Sequence, residues 1–217
     1  MNILLLLLVY TRTINILAFD FEWHPSIQNS FAIGQLVCGK NVYIIDVVHM
    51  NHAENLKWIS LMEEYTSNNS SSSSRNQGSN RVLVGFGASS DLKILSKMKN
   101  SAIVNGNAIT NGSSSNAKKR KSSSIVANEI FDLQKYTSGI KITGTNRKQK
   151  QSLASMVNAF YGNNKLLNKT CTMTNWLRRP LGQPQIEYAA LDAIVCLKMY
   201  HQIMKMEEHR TCSKPAV

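Results

Sequence analysis

Four carboxylates and a phenol are spaced for chemistry in this sequence. Asp20 and Glu22 stand two apart at the end of an apolar run, INILAFDF (14–21) leading into Glu22. Period-2 strand geometry sends both side chains to one face. Two like charges held side by side cost stability unless a cation neutralises them, and oxygen-only ligands suit Mg²⁺ or Mn²⁺. Taken alone, such a pair at a strand end is equally a solvated one. Asp91 follows the apolar run RVLVGF (81–86) through the turn GASS. Groups at strand ends of mixed α/β sheets form sites, although an acid there also complements a helix N-terminus. Tyr188 and Asp192 are four apart in IEYAALDAIVCLKMY (186–200), one turn apart on one helix face. That helix is apolar around much of its circumference, so Asp192 is paired, on a metal, or bonded to Arg178 or Arg179. Together, four acids and no nitrogen or sulfur ligand describe a two-metal site for phosphate chemistry.

The elements that must position these groups follow from periodicity. Residues 14–21, 31–38 and 41–46 read as strands, the last two joined as a hairpin through Gly39-Lys40. A helix is expected over 53–65, a strand over 81–86, a helix over 89–99, a short strand over 129–133, and helices over 150–161 and 184–206. Strands paired antiparallel and then alternating with helices imply a mixed sheet covered by helices. Two polar stretches, 66–80 and 101–124, read as low-complexity insertions without the apolar residues to offset ordering. Residues 14–206 then form one domain, 1–13 an apolar leader of uncertain status, and 207–217 a tail. The leader's run ILLLLLVY (3–10) has 8 residues, far short of the roughly 18 that span a bilayer, so no membrane anchor is expected. No Lys or Arg precedes it, and cleavage near Ala18 would remove most of the next strand, which favours a buried strand or an imprecise chain start over a secretory signal.

At this point the sequence resembles a known family. DFEW (20–23), VGFGASSDLKIL (84–95), FDLQKY (131–136), SLASMV (152–157) and NWLRRPLGQPQIEYAALDA (175–193) look like the 3′-to-5′ exonucleases of the ribonuclease D and Werner syndrome exonuclease type, called DEDDy for four acids and a tyrosine. The resemblance covers residues 14–206 in order. It implies an α/β, ribonuclease H-like fold with a five-stranded mixed sheet flanked by helices. It also implies two divalent cations, Mg²⁺ or Mn²⁺, with Asp20, Glu22 and Asp192 on the first, Asp20 bridging to the second and Asp91 supporting it. Tyr188 would aim the attacking water, and nucleoside 5′-monophosphates would leave from the 3′ end of DNA or RNA. Trp176, Arg178 and Arg179, just before the last helix, are expected to touch substrate. Phe21 stands where the family has a small or polar residue, but its side chain should face away from the metals. A tyrosine rather than a histidine at 188 separates the chain from the sister DEDDh group.

Charge agrees with a polyanionic substrate. The 217 residues carry 25 Lys+Arg against 13 Asp+Glu, a formal +12. Residues 93–179 hold 16 of those bases against only Glu129 and Asp132, a field that attracts phosphate backbones without reading sequence. KKRK (118–121) alone reads as a solvated loop or a nuclear import signal. Four cysteines without a CxxC pair exclude a disulfide framework and a cysteine zinc site, and favour an intracellular home. Gly85-Phe86-Gly87 lacks the third glycine of a dinucleotide loop, and His49 with His52 lacks a third nitrogen or sulfur ligand. The rival function is a ribonuclease H-like binding module without catalysis, in which such a set of acids would be expected to erode. The choice between DNA and RNA is not legible, because no contact to a 2′-hydroxyl can be assigned.

Overall fold

In the strand ILAFDFE the apolar residues Leu17, Phe19 and Phe21 alternate with Ala18, Asp20 and Glu22, so one face is a core face and the other carries the acids. A computed structural model describes residues 15–24, 26, 30–66, 81–107, 130–139, 152–162, 167, 171, 172 and 174–212. The leader 1–13, residues 67–80 and residues 108–129 lie outside the described residues. Five strands, β1 (Ile16–Glu22), β2 (Ile33–Cys38), β3 (Asn41–Ile45), β4 (Val82–Gly85) and β5 (Ile130–Asp132), form one sheet in the order β3-β2-β1-β4-β5. β1–β2 and β2–β3 are antiparallel, while β1–β4 and β4–β5 are parallel. The β2–β3 hairpin turns on Gly39, whose φ of 61° a side chain would oppose.

The helices are α1 (His52–Thr66), α2 (Ala88–Asn107), α3 (Leu133–Gly139), α4 (Leu153–Tyr161) and α5 (Gln183–Cys212), with a 3₁₀ turn at Val47–His49. Trp58, Ile59, Leu61 and Met62 of α1, with Leu92 and Leu95 of α2, bury Leu17, Phe19 and Phe21 on one face. On the other, Met156 and Val157 of α4 join Ala193, Val195, Cys196 and Met199 of α5 over Ala18, Val37 and Val84. Phe21 packs in the first core, its ring stacked on Phe31 at 4.0 Å, so it does face away from the acids. Two close approaches use glycine: a Cβ on Gly34 would stand 3.1 Å from Trp58, and one on Gly85 would stand 2.8 Å from the Phe19 ring.

The sheet and its flanking helices match the expected layering, with two differences in extent and one helix that was not expected, α3. α2 continues to Asn107, eight residues past the expected end and into the stretch read as an insertion from 101. α3 follows β5 with no loop, because Asp132 accepts the backbone N–H of Gln134 at 3.1 Å and so supports the helix start. α5 runs to Cys212, through much of the expected tail. Among the described residues no helix is long and apolar enough to cross a membrane, and all four cysteines are free.

Candidate active site

β1 delivers Asp20 and Glu22 at its C-terminal end, and α5 crosses β1, β2, β3 and β4 on the same face. Ala189 and Ala193 let that helix come close enough for Asp192 to join them. Ligand oxygens of Asp20, Glu22 and Asp192 all lie within 4.8 Å of one another. Because β4 runs parallel beside β1, its C-terminal end opens at the same edge of the sheet, and the turn through Phe86 and Gly87 leads into the first turn of α2 and Asp91. Asp91 stands outside the 4.8 Å triad but close enough for its charge to bear on Asp20 and Glu22.

The turn that carries Asp91 is held by Asp132, a residue that sequence reasoning passed over. This buried carboxylate accepts the N–H of Gly87 at 3.1 Å and the hydroxyl of Ser89 at 3.4 Å. Gly87 sits at a φ of 68°, which glycine tolerates and other residues resist. Lys135 lies 4.0 Å from the same carboxylate. Asp132 was an unremarkable acid in FDLQKY, and the partners through which it holds the turn, Gly87 and Ser89, lie more than 40 residues away.

Burial raises every acid of the cluster, and repulsion from the other members adds to it for Asp20 and Glu22. Asp20 is pushed well above the usual carboxylate range by burial, then by Asp192 and Asp91, with the Phe21 backbone N–H opposing. Burial and the charge of Asp20 lift Glu22 to about 9. Burial with Asp132 takes Asp91 to about 7, and burial takes Asp192 to about 6, moderated by a hydrogen bond from Tyr188. Among the described residues no lysine or arginine offsets these shifts. A donor set of hard carboxylate oxygens, crowded and without a protein countercharge, fits Mg²⁺ or Mn²⁺.

Tyr188, one turn before Asp192, pairs its hydroxyl with Thr172 Oγ1 at 3.2 Å and donates to the Asp192 carboxylate. Burial raises its pKa above the usual tyrosine value, so the phenol keeps its proton at neutral pH. Trp176 and Arg179, expected to touch substrate, both have partners within the fold. Trp176 is 1% exposed, packed with Ala32, Ile33 and Ala189, its ring centroid 6.1 Å from that of Tyr188. Arg179 donates from Nε to Asp46 at 2.6 Å and from its other nitrogens to Asp46 and to the carbonyls of Trp176, Arg178 and Ala32. That corrects the alternative in which Arg179 pairs with Asp192. Arg178 is exposed. Trp23, directly after Glu22, is 58% exposed and was not singled out from the sequence.

A family model described as 3′-5′ exonuclease matches residues 7–208. An exonuclease mut-7 homolog from Aedes aegypti is 28% identical over 203 residues, which take in 90% of this chain and 24% of that protein. The chain thus spans about a quarter of the length of that curated relative. Two solved structures share the fold. The EXO domain of Aedes aegypti Nibbler has a TM-score of 0.64 at 22% identity, covering 95% of this chain and 85% of that one. RNase D of Escherichia coli, an exoribonuclease involved in structured RNA processing, has a TM-score of 0.61 at 20% identity, covering 95% and 43%.

Proposed function

Since the chain belongs to the 3′-5′ exonuclease family, we propose that it shortens a nucleic acid from its 3′ end by metal-dependent hydrolysis, releasing nucleoside 5′-monophosphates. The observation that carries this reading is the convergence of Asp20, Glu22 and Asp192 within 4.8 Å, with Tyr188 one helical turn from Asp192. Asp20, Glu22 and Asp192 would hold one divalent cation and Asp91 would support a second, Mg²⁺ or Mn²⁺ in each case. Such ions, when bound, activate water at neutral pH and offset the charge that builds on the phosphate.

The remaining work belongs to the chain. Tyr188 keeps its proton, so it orients the attacking water by hydrogen bonding rather than serving as a general base. Thr172 and Asp192 restrict the rotation of that hydroxyl. Trp176 backs the Tyr188 ring, and Arg179 fixes the segment before α5 to the end of β3. Exposed Arg178 is left to meet a phosphate, and exposed Trp23 offers a face on which a base can stack. The basic surplus over 93–179 supports binding that weakens steeply with salt. RNA is the first substrate to try, because Escherichia coli RNase D, which shares the fold, processes structured RNA.

Single-stranded RNA and DNA oligonucleotides labelled at either end, incubated with Mg²⁺, Mn²⁺ or EDTA, test the proposal. Metal-dependent shortening that releases a 3′ label first is expected. Binding without shortening under every metal condition would replace the enzyme with a binding module.

A further inference from the structure

The strand paired with β1 carries a buried amide whose hydrogen bonds have no partner among the described residues. Gln35 is 0% exposed, and neither its Oε1 nor its Nε2 is bonded. Every other residue of β2 is apolar, so Gln35 is the one polar interruption of IGQLVC. It stands directly opposite Asp20 in the β1–β2 register. Cross-strand partners send their side chains to the same face with Cβ atoms about 4.5–5.5 Å apart, within hydrogen-bonding reach for an amide and a carboxylate. On its other side Gln35 faces Ile44 of β3, and along its own strand that face holds Ile33 and Val37, none of which can accept or donate through a side chain. A buried amide left unsatisfied is costlier than an apolar residue of the same shape.

We infer that Gln35 is a positioning residue for Asp20: its amide N–H donates to the Asp20 carboxylate when a divalent cation is held, fixing the orientation in which Asp20 meets Glu22 and Asp192. The inference rests on the metal-dependent reading above. The amide touches neither substrate nor ion. Partners of this kind, one step removed from a metal, typically alter metal affinity by about 10–100-fold.

The test separates positioning from mere packing, because the two roles move stability and metal affinity differently. Gln35→Met nearly preserves shape and deletes both hydrogen-bonding groups. In EDTA, the full chain carrying it should unfold at a temperature equal to or above that of the wild type, since an unpaired buried amide is gone. Mn²⁺ affinity, read from the electron paramagnetic resonance signal of the free ion, should fall by about 10–100-fold. Gln35→Leu carries the same comparison if the methionine variant does not fold. Wild-type Mn²⁺ affinity in either folded variant would overturn the positioning role while leaving the metal site standing. Wild-type protein that takes up no Mn²⁺, or Asp20→Asn that binds it undiminished, would overturn the metal reading and this inference together.

Discussion

A single carboxylate and a cluster of four lie at the same end of the sheet and are treated in opposite ways. Asp46, just past β3, meets the Arg179 guanidinium in a two-pronged pair, with His49 Nδ1 3.0 Å away. The Arg179 hydrogen bonds hold its carboxyl below the usual range against the opposing effect of burial. Asp20, Glu22, Asp91 and Asp192 are more buried, crowd one another and are all pushed up. Among the described residues, a countercharge thus meets the acid that serves as a tie and none meets the acids that converge. An acid that merely tolerates burial would not distinguish the two places. The proposed divalent cations would supply the missing positive charge at the second place.

The contrast breaks most sharply at Asp192. Asp192→Asn should lower nuclease turnover by at least on the order of 10²–10³-fold, measured by single-turnover cleavage of an end-labelled oligonucleotide. Its unfolding temperature in EDTA should match or exceed that of the wild type, because one member of a repelling set is gone. A loss of both would make Asp192 a structural acid like Asp46. Arg179→Met is the converse experiment. It removes the bonds to Asp46 and three carbonyls, and should cost about 1–3 kcal/mol in urea unfolding. Wild-type stability would show that the clamp is dispensable.

A pH series sharpens the comparison further. Glu22 is raised from 4.5 to about 9, Asp91 from 3.8 to about 7 and Asp192 from 3.8 to about 6. The folded state holds these protons more tightly than the unfolded chain. Their contribution is therefore fully present below the unfolded values and is lost as pH rises through 6 to 9. Asp46 has the opposite sign, contributing above its unfolded value and losing that contribution as pH falls through its depressed one. In EDTA, stability should decline from pH 5 to pH 9 by at most about 1.4 kcal/mol per unit for each proton released. Mg²⁺ or Mn²⁺ should flatten that decline, and calorimetry across the range would measure both slopes.

Much of this arrangement was legible from local pattern. Alternation in ILAFDFE put Asp20 and Glu22 on one face, and four-residue spacing put Tyr188 and Asp192 on another, because strand and helix periods are fixed by the backbone. What stayed hidden depends on partners distant along the chain. Arg179 finds Asp46 across 133 residues, and Asp132 finds Gly87 across 45, pairings that no spacing rule contains. Trp176 could not be divided between core and surface until the apolar residues of β2 and α5 closed around it. Gln35 was visible as a polar letter in an apolar strand, yet its meaning required the register that sets it opposite Asp20. The length of α2 escaped because serine and asparagine over its last turns favour loops by composition.

Gly85 bears on how far the site is assembled in advance. With a methyl there excluded by the Phe19 ring and by Ala88, the strand leading to Asp91 seats flush against its neighbour, and the span between the two halves of the acidic cluster is gauged by a hydrocarbon edge. Electrostatics then has little say in that span. On the proposed reading, removing the ions would leave the width of the cleft unchanged.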